Sequence, residues 1–459
     1  MRQKIFFPFL SIVVLMILML ACAQTPSSDG SLRDIACALQ GIPPSECNQA
    51  LSGGGGGSGS GPAAPTPLKI ETLAPSPTPT VRPVNHLQVV YAKGGNIWLW
   101  DDASGLVTQV TNSGQDSAPK ISDDGLVVAF RRKGELWAAA FDGSQQRVLA
   151  SSAALLALLP VGAEAVEPRQ FDFAPNSHDI YLNVTAVSQQ VSVPEYNLAK
   201  VNADVPTLEG LLNSSQGGGQ FIFSPDGRKI ALPRNDSINV VNLNGSNLRT
   251  VFTFPRVLLH ADANYVPQIA WMVGGSGFTT VIPPEDALNN PSSPTRFYYI
   301  PVDVDDPQPA QLAQFVAAPA LQSQPYISPD AAKVLYIRPN GINFDLRVID
   351  ASTTDELYFQ YPANRVGLLG WAPDSAQIMY WIDDSRIAWI ASPGTEPALL
   401  SDVNFAVNIN WATNRRYFFL TGTELRLGTL GQPSILIDGN LSDFIFDFTM
   451  TTFYDEVQP

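Results

Sequence analysis

The chain has 459 residues, 15% of them charged against a typical ~25%, with a formal net charge of -15. That length allows a large core or more than one domain. The acidic balance, with no Lys/Arg cluster, argues against nucleic acid and anionic lipid surfaces as partners.

Arg2 and Lys4 precede an apolar run from Ile5 to Ala21, the layout of an export signal over residues 1–21. The run ends in Met19-Leu20-Ala21-Cys22, which resembles a bacterial lipobox with Met19 in place of the usual Leu. That resemblance implies that Cys22 is lipidated and becomes the mature N-terminus. The alternative is an uncleaved anchor, against which Pro8 and the shortness of the run both argue. Within residues 22–50 only Cys37 and Cys47 remain, in "CALQGIPPSEC". An exported chain meets an oxidising compartment, so a Cys37–Cys47 bridge is expected there rather than two thiols. Residues 51–85 pass from "GGGGGSGSG" to "APSPTPTVRP", flexible coil and then extended polyproline, a disordered linker able to reach on the order of 100 Å.

From residue 86 to 450 one pattern recurs. "FIFSPDGRKIAL" (221–232) sets two apolar runs around Ser224-Pro225-Asp226-Gly227, where Pro225 presets a type I turn and Gly227 accepts positive φ. The flanking runs are apolar at consecutive positions, as in strands covered on both faces. Related hinges stand at Ser122, Ala174, Ser224, Met272, Ser328, Ala372 and Ala412, spaced by 52, 50, 48, 56, 44 and 40 residues. Each is followed by a third and a fourth strand, such as "INVVNLNG" and "LRTVFTF". Four strands per repeat of this length describe a propeller blade. The segment 88–111 has a blade's last three strands and lacks its first, while "DFIFDF" (443–448) is a first strand with no successor. The expected fold is therefore all-β, a propeller of eight blades closed by the C-terminal strand, with a tail at 451–459. Seven blades remain the alternative if "MVGGSG" does not mark a true repeat.

The hinge, with Ile97-Trp98, Leu136-Trp137 and Asp142-Gly143-Ser144, resembles the TolB-type propeller repeat over roughly residues 87–450. The resemblance implies the propeller fold, a place in the cell envelope and protein partners, some of them associated with peptidoglycan. Lipidation, more blades and no additional N-terminal domain depart from that family.

With strands lettered A to D outward from the axis, A–B and C–D turns fall on one rim and B–C and D–A connections on the other. The insertions 151–168, 185–195, 254–267 and 283–295 all belong to the second rim. Long connections on a rigid scaffold commonly carry binding residues. The candidate binding face thus comprises Leu155, Leu156, His260, Asp262, Tyr265, Glu285 and Asp286. "AALLALL" (153–159) is expected to dock over the fold rather than stand exposed. His86 and His178 read as solvated, the acidic pairs as turns, and no metal or cofactor is expected. No Gly-x-Ser-x-Gly elbow occurs. The expected function is a non-catalytic, lipid-anchored, monomeric scaffold at the extracytoplasmic face of the cell membrane, binding envelope or surface proteins. A glycan-binding or glycan-active propeller is the alternative. Its catalytic form needs converging carboxylates in the channel, where the inner strands offer Asp172 and Asp447.

Overall fold

A computed structural model of the chain describes residues 80–457, apart from connections at 160–164, 189–190, 195–196, 217–219, 261–262, 287–289, 291, 319–323, 363–365 and 383–384. The expected export signal, Cys22, Cys37, Cys47, most of the linker and Asp262 lie outside the described residues.

Eight four-stranded antiparallel blades form the propeller. Blade 1 is built from both ends of the domain: Phe446–Val457 is its strand A, and Thr80–Lys93, Asn96–Asp101 and Val107–Gln109 follow outward. Blades 2 to 8 then follow in chain order, beginning at Asp116, Ala165, Ile222, Ala270, Tyr326, Val366 and Ala406. The "MVGGSG" hinge is a true one, joining Ala270–Trp271 to Gly277–Ile282 in blade 5. The closing pair runs past the expected limits of 86 and 450, from Thr80 opposite Val457 to Tyr91 opposite Phe446. His86 therefore lies inside a strand, opposite Thr451.

Consecutive apolar residues serve two neighbours. In blade 4, Ile230, Leu232 and Val241 pack with Tyr181 and Leu198 of blade 3, while Ala231, Ile238 and Val240 pack with Phe278 and Ile300 of blade 5. Alternate residues of a strand point to opposite faces, so a blade between two others must be apolar on both. The same division gives a separate apolar cluster between every adjacent pair of blades, including blades 8 and 1, where Leu87, Val89 and Tyr91 meet Phe418, Phe446 and Phe448. Polar fastenings cross the same closure: Arg416 binds both oxygens of Asp102 at 2.7 and 2.9 Å, and Lys93 and Tyr91 reach Asp438 at 2.6 and 2.8 Å. Burial pushes the Asp438 carboxyl upward, but the bonds from Lys93 and Tyr91 outweigh it and hold the group below its ordinary value.

The Ser-Pro-Asp-Gly hinge owes its regularity to one hydrogen-bond problem. The first residue of each hinge bonds its N–H to a carbonyl at the start of strand B, as Ser224 does to Lys229 at 2.9 Å. The N–H of Lys229 in turn needs an acceptor, and the buried Ser224 hydroxyl supplies it at 2.9 Å while donating to Asp226 at 2.6 Å. Ser122 and Ser328 do the same for Val127 and Lys333. Where the first residue is Ala, the oxygen comes from elsewhere in the turn: Ser177 for Asp179, Asp374 for Gln377, Thr413 for Arg416. The left-handed fourth residue expected at Gly227 is present, with φ +63°.

Candidate functional site

Antiparallel connectivity sends the A–B and C–D turns to one rim and the B–C and D–A connections to the other. The four inserted segments accordingly share the second rim. Three of them contain regular structure among the described residues. Residues 151–159 hold a short helix, α1 (Ser152–Leu156), capped by the Ser151 hydroxyl accepting from the Ala154 N–H at 3.2 Å. It docks as expected: Leu155 is fully buried between blades 2 and 3, and Leu156, Leu158 and Leu159 pack against the same cluster. In blade 3, Ala165–Phe173 and Asp179–Ser188 pair as far as Ala165 opposite Val187, and Val191–Pro194 adds to the far side of that second strand. Much of the expected loop at 185–195 is therefore raised sheet. The 254–267 connection contains a small hairpin, Leu258–His260 against Ala263–Asn264.

The candidate residues divide on this geometry. Tyr265 is buried and donates its hydroxyl to the Val281 carbonyl at 2.8 Å, and burial raises its pKa. With Leu155, it is a core residue that holds an insertion down and has no surface to offer a partner. Leu156 is partly exposed. Glu285 and Asp286 are exposed in the turn after strand B of blade 5. His260 ends the first strand of the small hairpin. The insertions come from the connections flanking blades 3 and 5, so their residues share a rim without forming one compact cluster.

A further raised element was not singled out in the sequence. In blade 6, Lys333–Asn340 and Asn343–Asp350 form a long hairpin whose tip residue, Ile342, is 83% exposed. A polar network stiffens its base. Asp345 accepts from Gln360 at 2.8 Å and lies 3.7 Å from Arg338, and Arg347 and Tyr336 each donate to Asp355 at 2.8 Å. The "NG" at Asn340-Gly341 was the available signal for a tight hairpin.

The opposite rim is bound up with itself. Asp123 accepts the Asn176 N–H at 2.7 Å across blades 2 and 3, Lys229 pairs with Asp303 at 2.7 Å across blades 4 and 5, and Ser375 accepts the Asp330 N–H at 3.0 Å across blades 6 and 7. His178, expected to be solvated, is instead clamped between Asp204 at 2.7 Å and Asp124 at 3.0 Å, with its side chain 21% exposed. Burial alone would lower its pKa, but the two carboxylates outweigh that and raise it.

At the axis, the register of the inner strands sets Asn410, Asp447, Lys120 and Asp172 of blades 8, 1, 2 and 3 at one level, with Ile222, Ala270, Tyr326 and Gly370 of blades 4 to 7 completing it. The two inner-strand acids converge on one base: Lys120 lies 3.4 Å from Asp172 and 3.8 Å from Asp447. Asp447 also accepts the Ile121 N–H at 3.0 Å, and Asp172 accepts that of Phe173 at 3.0 Å. Both carboxylates are thus engaged in joining blades 1, 2 and 3. Among the described residues, no three His, Cys, Asp or Glu side chains are grouped to hold a metal ion, and no helix is long and apolar enough to cross a membrane.

No family profile and no curated protein matches the sequence. Solved structures of similar fold include an oligogalacturonate lyase in complex with manganese, at 16% identity and TM-score 0.41, covering 67% of this chain and 90% of that one. TolB from Acinetobacter baumannii aligns at 11% identity and TM-score 0.30, over 61% of this chain and 64% of TolB. A puromycin hydrolase aligns at 12% identity and TM-score 0.42, over 78% of this chain and 53% of its own. Likeness at this level concerns the fold alone, and a lyase, a hydrolase and TolB assign no common activity.

Proposed function

We propose that the protein is a non-catalytic binding scaffold, lipid-anchored at the extracytoplasmic face of the cell membrane, that engages envelope or surface proteins through the elaborated rim. The observation carrying this reading is the asymmetry of the rims. One is a ring of short hinges tied blade to blade, past which only the closing pair of blade 1 extends, from Thr80 opposite Val457 to Asn85 opposite Thr452, and the other bears α1, the raised sheets of blades 3 and 6, and the connections around blade 5. Raised elements on a braced base suit recognition, because little order need be gained on binding. A non-catalytic role is supported by the engagement of Asp172 and Asp447 with Lys120 and backbone N–H groups, which gives both carboxylates a structural task in joining blades 1, 2 and 3. Anchoring through Cys22 rests on the sequence. It is consistent with strand B of blade 1 beginning, at Thr80, on the plain-rim side, so that a tether entering there turns the elaborated rim away from the membrane.

The test is recovery of partners from an envelope extract by the full chain and by two variants. Replacing residues 283–294 with a two-residue turn is expected to deplete the partners, and Val205→Asp on the plain rim to leave them. Equal recovery by all three proteins would remove the rim assignment.

A further inference from the structure

The elaborated rim of blades 7 and 8 carries a surface of different chemistry. Trp381, near the rim end of strand B (Ile378–Ile382) in blade 7, lays its ring against Gly367 of strand A (Val366–Trp371), where a Cβ would fall 2.3 Å from the indole carbons. The Arg386 guanidinium lies 5.1 Å over the same ring. The preceding residue, Ser385, accepts the Phe405 N–H at 2.8 Å. Three residues on, Asn408 donates from Nδ2 to the Phe444 carbonyl at 3.3 Å, and the Asn410 amide donates to the Asn408 side-chain oxygen at 2.9 Å. A connected path therefore runs from Trp381 through Arg386, Phe405 and Asn408 to Phe444.

Phe405 is the anomaly in this path. Its φ is +59°, a left-handed conformation uncommon for a bulky residue and costing about 1 kcal/mol or more. Its side chain is nevertheless 52% exposed, and Phe444 is 58% exposed. Neither ring thus gains the roughly 2 kcal/mol available from full burial. Backbone strain that holds an apolar ring in water, pinned by a neighbouring blade, is the kind of outlier that clusters at ligand contacts.

The exposed rings share this connection with the Arg386 guanidinium and the Asn408 and Asn410 carboxamides. That combination matches a ligand with apolar C–H faces and hydroxyl edges: the faces stack on rings, and the edges bond to amides and guanidinium. We infer that this surface is a carbohydrate-binding subsite. The formal charge of -15 disfavours polyanionic polysaccharide, so the ligand is a neutral oligosaccharide. The inference rests on the elaborated rim being the binding face and adds the ligand class at blades 7 and 8.

The test is calorimetric titration of the full-length protein with cello-, chito-, xylo- and mannohexaose. At least one should bind, with Phe405→Ala weakening it about tenfold, one step of ~1.4 kcal/mol. Phe405→Trp should retain binding, and Ile342→Ala on blade 6 should not alter it. Phe405→Gly guards against misfolding: it relieves the φ strain, so its melting temperature should equal or exceed the parent's while binding is still lost. Failure of all four sugars to bind, or unchanged affinity in Phe405→Ala, overturns the proposal. Protein recovery through the 283–294 connection is read separately in Phe405→Ala, which leaves that connection intact. Loss of sugar with retained protein partners confirms two distinct surfaces, and retained partners with no sugar binding defeats this inference alone.

Discussion

At the scale of single residues, the hinge chemistry shows why a serine recurs where a turn alone needs only proline and glycine. The N–H opening strand B is withdrawn from water, wholly at Val127 and partly at Lys229, and takes its oxygen from within the turn. Ser224→Ala removes that acceptor and also strips the Asp226 carboxylate of a donor. A loss of about 1 kcal/mol is expected, because a half-buried donor loses its partner. Urea unfolding would measure it, and a loss of only a few tenths would mean that the N–H is hydrated. His178 supports a second prediction. Its pKa is raised in the folded chain, so its contribution is complete below the ordinary histidine value near 6.5 and fades as pH climbs through the raised one. Asp124 shifts the other way: burial opposes ionisation, but bonds from Ser122, Leu126 and His178 prevail and lower its pKa, so its share is present above about 3.8 and fades in acid. The clamp between blades 2 and 3 is therefore tightest from about pH 4 to 6.5. Once neutral, the imidazole has one N–H for two carboxylates. The melting temperature of the parent should fall from pH 6.5 to 8.5 more steeply than that of His178→Gln, and parallel profiles would refute the clamp.

At the scale of elements, the pattern was legible where it is dictated locally and illegible where it depends on a neighbour. Doubly apolar runs such as Ile230-Ala231-Leu232 announce a strand between two layers, and the hinge residues announce the reversal, so repeat number and strand order could be read directly. Insertions could be assigned to a rim by counting strands. Burial within them could not. Leu155, Leu156 and Tyr265 look alike in sequence as apolar or aromatic loop residues, yet Leu155 and Tyr265 are core and Leu156 is partly exposed. "VSVP" at 191–194 offers only four residues of alternation, and its strand exists because Asp179–Ser188 presents a free edge. His178 lies 54 residues from Asp124 and Lys120 lies 52 from Asp172, separations bridged by the packing of neighbouring blades, while Lys120 lies more than 300 residues from Asp447, which only ring closure brings near. Phe405 gave no signal at all, because no sequence feature marks a phenylalanine held at positive φ with its N–H donated to the Ser385 carbonyl of blade 7.

At the scale of the whole molecule, the choice of seam carries the strongest mechanical argument. A propeller whose blades pack only with their neighbours gains much of its cooperativity when last and first blades share a sheet, as here, where strand A comes from the C-terminus and strands B to D from the N-terminus. Any A–B hinge could in principle be cut to the same division. The natural seam, however, has the longest inner strand, 12 residues of Phe446–Val457 against two of Ala270–Trp271 in blade 5. Phe446 and Phe448 enter the apolar cluster between blades 8 and 1, and Asp447 caps the Ile121 N–H in blade 2. Replacing either Phe by Ala should cost about 3–5 kcal/mol. The sharper test moves the seam. A circular permutant that joins Val457 to Thr80 by a short glycine linker and opens between Val273 and Gly274 retains every blade but closes on two strand residues. It is expected to unfold at lower guanidinium concentration than the parent, with a broader transition as the ring opens before the blades melt. A permutant equal to the parent in midpoint and slope would show that face-to-face packing alone holds the ring, and that the long shared strand adds nothing to closure.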